Sequence, residues 1–398
     1  VFIIKKNRGS CMADNLIVIH GGGPTAVINS SLYGVIAYAK TDSRVGKIYA
    51  AKNGTGGLLK EELIELTDVS DEKLELLKQT PGTAIGTSRD PLEKEDYEKM
   101  IAILYKYNIK YVLFNGGNGT MDTCGKLYET CKRLNKDIFV IGIPKTMDND
   151  LAITDHSPGF GSAARYIATS VRELCYDVES LPIHVVVVEA SGRNAGWITA
   201  ASALADKTER YAPDLIYLPE IPFSEEKFLE DVKEKLKTKS GIVVVVSEGL
   251  SDKEGKPIVK PIFQVGRATY FGDISSHLAN LVIKELGYKA RGEKPGLLGR
   301  ASITLQSEVD VEEAVFVGKE AAKAVISGES GKMIALSRNN GDGYNISTTA
   351  VDIKEVMMFE KKVPENFINE TKNGVTEEFI KWCEPLVGNI GNEMVSFK

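Results

Sequence analysis

Two short apolar runs, each ending in a segment rich in glycine or aspartate, do most to constrain the fold of this chain. Tyr111–Phe114 leads into Asn115-Gly-Gly-Asn-Gly-Thr-Met-Asp122, and Ile138–Ile143 leads into Pro144-Lys-Thr-Met-Asp-Asn-Asp150. Runs of this length without polar alternation suit strands buried on both faces of a parallel sheet. The first also opens a helical pattern, Met121–Leu134. In an open α/β sheet, ligands bind at the carboxyl ends of strands. A glycine turn entering a helix offers bare N–H groups to an anion. The second segment adds a lysine and two carboxylates to the same edge. A phosphate cradle beside a cation and acids is what phosphoryl transfer requires.

Strand and helix patterns alternate along most of the chain. Leu16–Ile19 reads as a strand, followed by glycines at 21–23 and a helix from Ala26 to Lys40. Lys47–Lys52 is the next strand, with Asn53-Gly-Thr-Gly-Gly57 as its exit loop, and a helix near Asp71–Lys78 precedes Pro81–Arg89. Beyond Asp150 the chain crosses Thr154–Gly161 into a helix, Ser162–Tyr176. A second series follows, with strands His184–Glu189 and Gly241–Ser247 and helices Ser224–Lys237 and Arg267–Leu286. Helix Val311–Ile326 and strand Met333–Ser337 then return to the first half. The expected fold is α/β, with two lobes that each hold a mainly parallel sheet flanked by helices. Residues 14–161, rejoined by 301–345, make one lobe and 162–300 the other. Residues 346–398 read as a C-terminal extension. A length of 398 residues suits two cores better than one.

A formal charge of −6 leaves no basic excess to offset a nucleic-acid backbone. Five cysteines, an odd number without paired spacing, fit free thiols in a reducing compartment. Cys124 and Cys131 share a predicted helix face, but no His or third Cys stands at ligand spacing beside them. No apolar stretch approaches the ~20 residues of a membrane span, and Val1–Ile4 is too short for a signal-peptide core. The expected location is cytoplasmic, with Met12 as the start and Val1–Cys11 as an upstream extension.

Gly21-Gly-Gly-Pro-Thr25, between a strand and a helix, is a phosphate-loop candidate. Glycine turns join many strands to helices, so the signal alone is weak. It is neither a Walker A sequence nor a Gly-x-Gly-x-x-Gly dinucleotide fingerprint. The Asn115–Asp122 segment is stronger, because three glycines in five residues permit close backbone approach to a ligand. Asn118 suits either a phosphate or hydration water, or simply a helix N-cap. Lys145, Asp148 and Asp150 form the sharpest group, although a charged trio past a strand also suits a solvated loop. The lysine would hold phosphate oxygens. Asp148 would take a proton from an attacking hydroxyl, and Asp150 would hold metal-bound water or brace its neighbours.

In order along the chain, further segments accompany these: Gly82-Thr-Ala-Ile-Gly-Thr-Ser-Arg89, Pro158-Gly-Phe-Gly-Ser162, Ala190-Ser-Gly-Arg-Asn-Ala-Gly-Trp197 and Ser247-Glu248. With Gly22-Gly-Pro-Thr25 and the two opening motifs, residues 16 to about 340 resemble the phosphofructokinase family, whose members phosphorylate fructose 6-phosphate. The resemblance implies that Gly22, Arg89 and the loop of Gly117, Asn118, Gly119 and Thr120 bind the donor phosphates. It implies that Asp148 is the catalytic base, with Lys145, Thr146 and Asp150 beside it. Arg193 and Glu248 match sugar-binding positions, Ser191 (where many members have methionine) and Gly192 are substrate-binding candidates beside them, and Arg291 and Arg300 match arginines around the sugar phosphate. His184 stands where many members have an arginine, and Leu297 where many have a histidine. Mg²⁺ is the implied cofactor, near Asn118 and Asp150 or reached through water. Some sugar-phosphate contacts in the family come from a neighbouring subunit, so a homodimer or homotetramer is implied.

Departures from the family pattern concern the donor. Members using ATP typically carry Gly-Gly-Asp-Gly and Pro-Gly-Thr, whereas those using pyrophosphate carry an aspartate for that last glycine and Pro-Lys-Thr. Here Gly119 falls on the ATP side and Lys145 on the pyrophosphate side. The wider wording, including Gly22-Gly-Pro-Thr-Ala-Val-Ile-Asn29, is similar to the pyrophosphate branch, and pyrophosphate is the expected donor. An ATP-dependent kinase, or a sugar-phosphate-sensing subunit without turnover, are the alternatives.

Overall fold

The computed structural model describes residues 13–181, 184–206, 210–265, 268–339, 341, 343–357, 359–391 and 394–397. Val1–Cys11, Met12 and Arg267 lie outside the described residues. The strands are β1 (Asp14–His20), β2 (Val45–Ala51), β3 (Leu63–Glu65), β4 (Ile109–Gly116), β5 (Phe139–Pro144), β6 (Val185–Ala190) and β7 (Leu215–Tyr217). There follow β8 (Ile242–Ser247), β9 (Pro261–Val265), β10 (Ala268–Phe271), β11 (Ala290–Glu293), β12 (Lys332–Arg338) and β13 (Ile346–Asp352).

Seven of them form one sheet in the order β13-β12-β5-β4-β1-β2-β3, and four form another in the order β11-β6-β8-β7. The strands β2, β1, β4, β5 and β12 run parallel to one another, with β3 and β13 antiparallel at the two edges, and all four strands of the second sheet are parallel. Side-chain alternation explains the unbroken apolar runs. Ile17 and Ile19 of β1 enter one core cluster, while Leu16 and Val18 enter the cluster on the opposite face. Val186 and Val188 of β6 likewise face one core, and Val185 and Val187 the other. A strand covered on both faces has no solvent side on which to place polar residues.

The helix Asn118–Arg133 seats Met121, Cys124, Leu127 and Cys131 against the sheet. Both cysteines are thus core residues, and burial pushes the Cys131 thiol up to about 12. The segment expected as one helix over 267–286 is two elements. Ala268–Phe271 pairs with β9 as a hairpin, and the helix runs only from Ile274 to Leu286. Gly272 separates them, and the Asp273 carboxylate caps the helix by accepting from the Ser276 N–H at 2.9 Å. The β-branched and aromatic residues of 268–271 favour a strand.

Residues 346–398 are woven into both lobes. β13 pairs antiparallel with β12 along the edge of the larger sheet. The helix Glu377–Val387 sends Phe379, Cys383, Leu386 and Val387 into the core that holds Phe160 and Trp197. Between the lobes, the helix Glu308–Ile326 pins the crossing segment. Asp310 accepts from the Gly159 and Ser162 N–H groups, each at 2.8 Å. His156 bridges Asp155 at 2.8 Å and Glu313 at 2.5 Å.

Candidate active site

β1, β4 and β5 are parallel neighbours, so the loops after them open on one edge. Register places Asn115 opposite Ile143 and Gly116 opposite Pro144. The glycine turn and the lysine–aspartate turn therefore leave the sheet side by side. Two hydrogen bonds lock them: the Lys145 N–H donates to the Gly116 carbonyl at 3.1 Å, and Asn118 Nδ2 donates to Asp150 Oδ2 at 2.9 Å. The other oxygens of that pair, Asn118 Oδ1 and Asp150 Oδ1, are buried without a hydrogen-bond partner.

Gly22 adopts a left-handed φ of +76°, which only glycine takes without strain. Its N–H donates to the Ser88 carbonyl at 2.9 Å and its carbonyl accepts from the Thr87 hydroxyl at 2.8 Å. That docking delivers Arg89 to the loop. A Cβ on Gly23 would stand 2.5 Å from Arg300 Nη1 and 3.3 Å from Arg89 Nη2. Two guanidinium groups from distant segments thus close on one glycine. Lys145 completes the set of cations, donating to the Gly23 carbonyl at 2.5 Å, with its residue only 3% exposed. Thr120 is buried with its hydroxyl packed where a side chain on Gly21 or Gly116 would stand. Gly117 caps its helix, accepting from the Thr120 and Met121 N–H groups. Gly119 faces open space, with nothing within 4 Å of an added Cβ.

Asp148 follows Lys145 on a tight turn. Its N–H donates to the Thr146 hydroxyl at 3.1 Å, and the next residue, Asn149, is left-handed at φ +53°. Burial, then the charges of Asp150 and Glu248, raise the Asp148 carboxyl to about 7 against the pull of Lys145 and Arg300. Burial lowers the Lys145 ammonium to about 8. The fields of Arg300 and Arg89 act the same way, while Asp148 and Asp150 oppose them. Arg300 is itself lowered by burial and by Arg89. An acid and a base shifted toward neutrality in one buried crevice make these residues a candidate functional site.

The second sheet supplies the facing wall. Ser191, Gly192 and Arg193 follow β6, and Glu248 follows β8. The Gly192 N–H donates to Glu248 Oε1 at 3.2 Å, and the Ser247 hydroxyl donates to the Gly192 carbonyl at 2.8 Å. Gly192 has φ +113°, and Met147 of the lysine–aspartate turn lines one small pocket with Ser191, Tyr166 and Gly299. Lys294 is held at 2.5 Å by Glu189 on the same wall. Two of the sequence-predicted residues do not join this crevice within the chain. Arg291 pairs with Val186 in register, and His184 precedes β6, packing on Tyr288 with ring centroids 5.4 Å apart. Val186 is five residues before Ser191, roughly 16 Å along a strand.

Two residues in and around the site lay beyond the sequence reading. His20 ends β1 behind the glycine loop, fully buried, with Nδ1 at 2.8 Å from the Thr83 hydroxyl. Burial and the neighbouring Lys145 lower it to about 3, so it is neutral. Its place between an apolar run and three glycines was the available signal. Lys361 reaches the turn from the C-terminal segment, and no local pattern announces it.

A family model described as Phosphofructokinase matches residues 15–325. A Halomonas elongata protein named pyrophosphate–fructose 6-phosphate 1-phosphotransferase is 37% identical over 387 residues, spanning 94% of this chain and 91% of its own length. A sulfofructose kinase of Alkalicoccus urumqiensis is 34% identical over 369 residues, spanning 92% of this chain and 93% of its own. The crystal structure of a pyrophosphate-dependent phosphofructokinase from Nitrosospira multiformis superposes with a TM-score of 0.87 at 36% identity, covering 97% of this chain and 94% of that one. The ordered motifs, the two-sheet architecture and these matches agree: the chain belongs to the phosphofructokinase family.

Proposed function

We propose that this protein transfers the terminal phosphoryl group of pyrophosphate to the 1-hydroxyl of fructose 6-phosphate, yielding fructose 1,6-bisphosphate and phosphate. One observation carries the reading: Lys145, Arg89 and Arg300 gather at Gly22–Gly23 while Asp148 faces them with its carboxyl near neutrality. The Asp148 carboxylate removes the hydroxyl proton. The freed oxygen bonds to phosphorus as the bridging P–O bond breaks, and the departing phosphate takes the electron pair. The cations and the N–H groups of the glycine turns stabilise charge on the transferred group. In reverse, Asp148 returns the proton.

Pyrophosphate is favoured because the Lys145 ammonium fills space beside the donor loop and meets charge that a short anhydride carries throughout. Six relatives or neighbours with pyrophosphate in their names span more than nine-tenths of the chain. One observation supports ATP instead: position 119 opens into free space, leaving room for a nucleotide. The acceptor wall, with Ser191, Gly192, Arg193 and Glu248, suits a phosphosugar.

Mg²⁺ fits the donor side. Asn118 Oδ1 and Asp150 Oδ1 are buried oxygens without partners, the ligand type a hard cation takes. Among the described residues, no group of three or more His, Cys, Asp or Glu is arranged to hold a metal. An ion brought with the donor, touching these oxygens directly or through water, suits that donor set. It would neutralise donor charge.

Arg291, opposite Val186, and His184, just before β6, stand away from the crevice of their own chain, which supports the reading that they serve a neighbouring subunit of a homo-oligomer. Cys124, Cys131, Cys175 and Cys383 are free and buried, as a reducing cytoplasm allows. No helix among the described residues is long and apolar enough to cross a membrane.

The test is turnover of purified protein with pyrophosphate or ATP and fructose 6-phosphate, alongside Asp148→Asn. Pyrophosphate should be used at least tenfold better than ATP, and the variant should lose about 10²–10⁴ in kcat while still binding both substrates. Near-normal turnover by the variant removes Asp148 from the mechanism.

A further inference from the structure

The C-terminal segment around Lys361 crosses the candidate site from behind. The Lys361 N–H donates to the Asp150 carbonyl at 2.8 Å, and Leu151 bridges Glu360. The Lys361 ammonium then enters the turn itself. It donates to the Thr154 carbonyl at 2.9 Å, the Asp155 carbonyl at 2.8 Å and Asn149 Oδ1 at 3.3 Å. Asn149 is fully buried and left-handed, and it separates Asp148 from Asp150. Its Oδ1 also accepts from the Ser157 N–H at 3.0 Å, so that oxygen is held by two donors.

The same segment grips the acceptor wall. The Lys361 carbonyl accepts from Trp197 Nε1 at 3.0 Å, and the ammonium lies 5.1 Å from that ring's centroid. Glu360 Oε1 accepts from Asn194 Nδ2 at 3.1 Å. Glu220 Oε1 accepts from the N–H groups of both Gly196 and Val363, each at 2.9 Å. Residues 360–363 thus tie the turn carrying Asp148 and Asp150 to the loop carrying Arg193.

We propose that Lys361 is a positioning residue for catalysis, fixing the Asp148–Asn149–Asp150 turn against the acceptor loop so that the base faces the sugar hydroxyl. A lysine is suited to the task because a single ammonium offers three donors in different directions, and here it has three oxygens to meet. Burial lowers this ammonium to about 7, opposed by the charges of Asp155 and Asp150. Placing a cation there costs stability, which a merely space-filling side chain would not.

The inference rests on the assignment of Asp148 as the base. The experiment therefore begins with wild-type turnover of pyrophosphate and fructose 6-phosphate. A wild type inactive with both pyrophosphate and ATP overturns the proposed reaction and this inference with it. With an active wild type, kcat and both KM values are measured for Lys361→Met. The donor cations and Gly22–Gly23 are untouched by the change, so KM for pyrophosphate should stay within about threefold. kcat should fall about 10²-fold, the scale of a 1 Å misplacement of a reacting group. If the methionine variant does not fold, Lys361→Gln carries the test, because its amide falls one bond short of the three oxygens. The expected fall in kcat is then about tenfold, again with KM preserved. A kcat within threefold of wild type in the folded variant overturns the proposal. So does a loss seen only in KM.

Discussion

Replacing Lys145 by methionine keeps the length of the side chain and removes its charge. Two unit charges about 4 Å apart interact by about 4 kcal/mol at an effective dielectric near 20. Part of that is offset. Arg300 and Arg89 already repel the ammonium, and burial disfavours it, so its removal relieves some strain. A net loss of about 2–3 kcal/mol in transition-state stabilisation corresponds to roughly 30- to 150-fold in kcat/KM. The substitution has a second signature. Lys145 lowers the Asp148 carboxyl, so its loss should move the acid limb of the pH–rate profile upward. The assay follows fructose 1,6-bisphosphate formation from pyrophosphate across pH, with kcat/KM fitted at each point. A variant within threefold of wild type, with its acid limb unmoved, would refute the electrostatic role assigned to this lysine.

Three further outcomes are expected. Gly119→Asp meets open space, so it should fold normally and shift the ratio of pyrophosphate to ATP turnover further toward pyrophosphate; increased ATP use would contradict the view that a side chain there crowds a nucleotide. Asp148 is active as base only when ionised, so the free-enzyme rate should be present above about 7 and lost as pH falls through it. In Asp150→Asn the largest charge raising Asp148 is gone, and kcat/KM against pH should show the acid limb displaced downward; an unmoved acid limb would show that the two carboxylates do not interact.

Much of the architecture was legible before any coordinates. β4, β5, β6 and β8 appear as apolar runs because both faces are covered, and the turns after β4, β6 and β8 carry glycine where backbone must approach an anion or reverse, while the turn after β5 carries the lysine and aspartates. The expected helix over 267–286 shows where such reading weakens. A short strand and a helix abut there across one glycine, and the hairpin partner that makes 268–271 a strand lies in β9. The last fifty residues were opaque for a related reason. β13 has no buried face pattern of its own, being an edge strand with mostly half-exposed residues, and its identity comes from pairing with β12.

The sequence by itself determined the strand–turn–helix units and the chemical character of each turn, because periodicity, glycine and proline act over a few neighbouring residues. Only tertiary structure decided which turns face one another. Arg89 and Arg300 meet over Gly23 from segments more than two hundred residues apart, and Lys361 reaches Asn149 across 212 positions. It also set Arg291 and His184 at the far end of β6, away from the crevice their chain forms. Such convergence is fixed by how sheets and helices pack, which no local window of residues encodes.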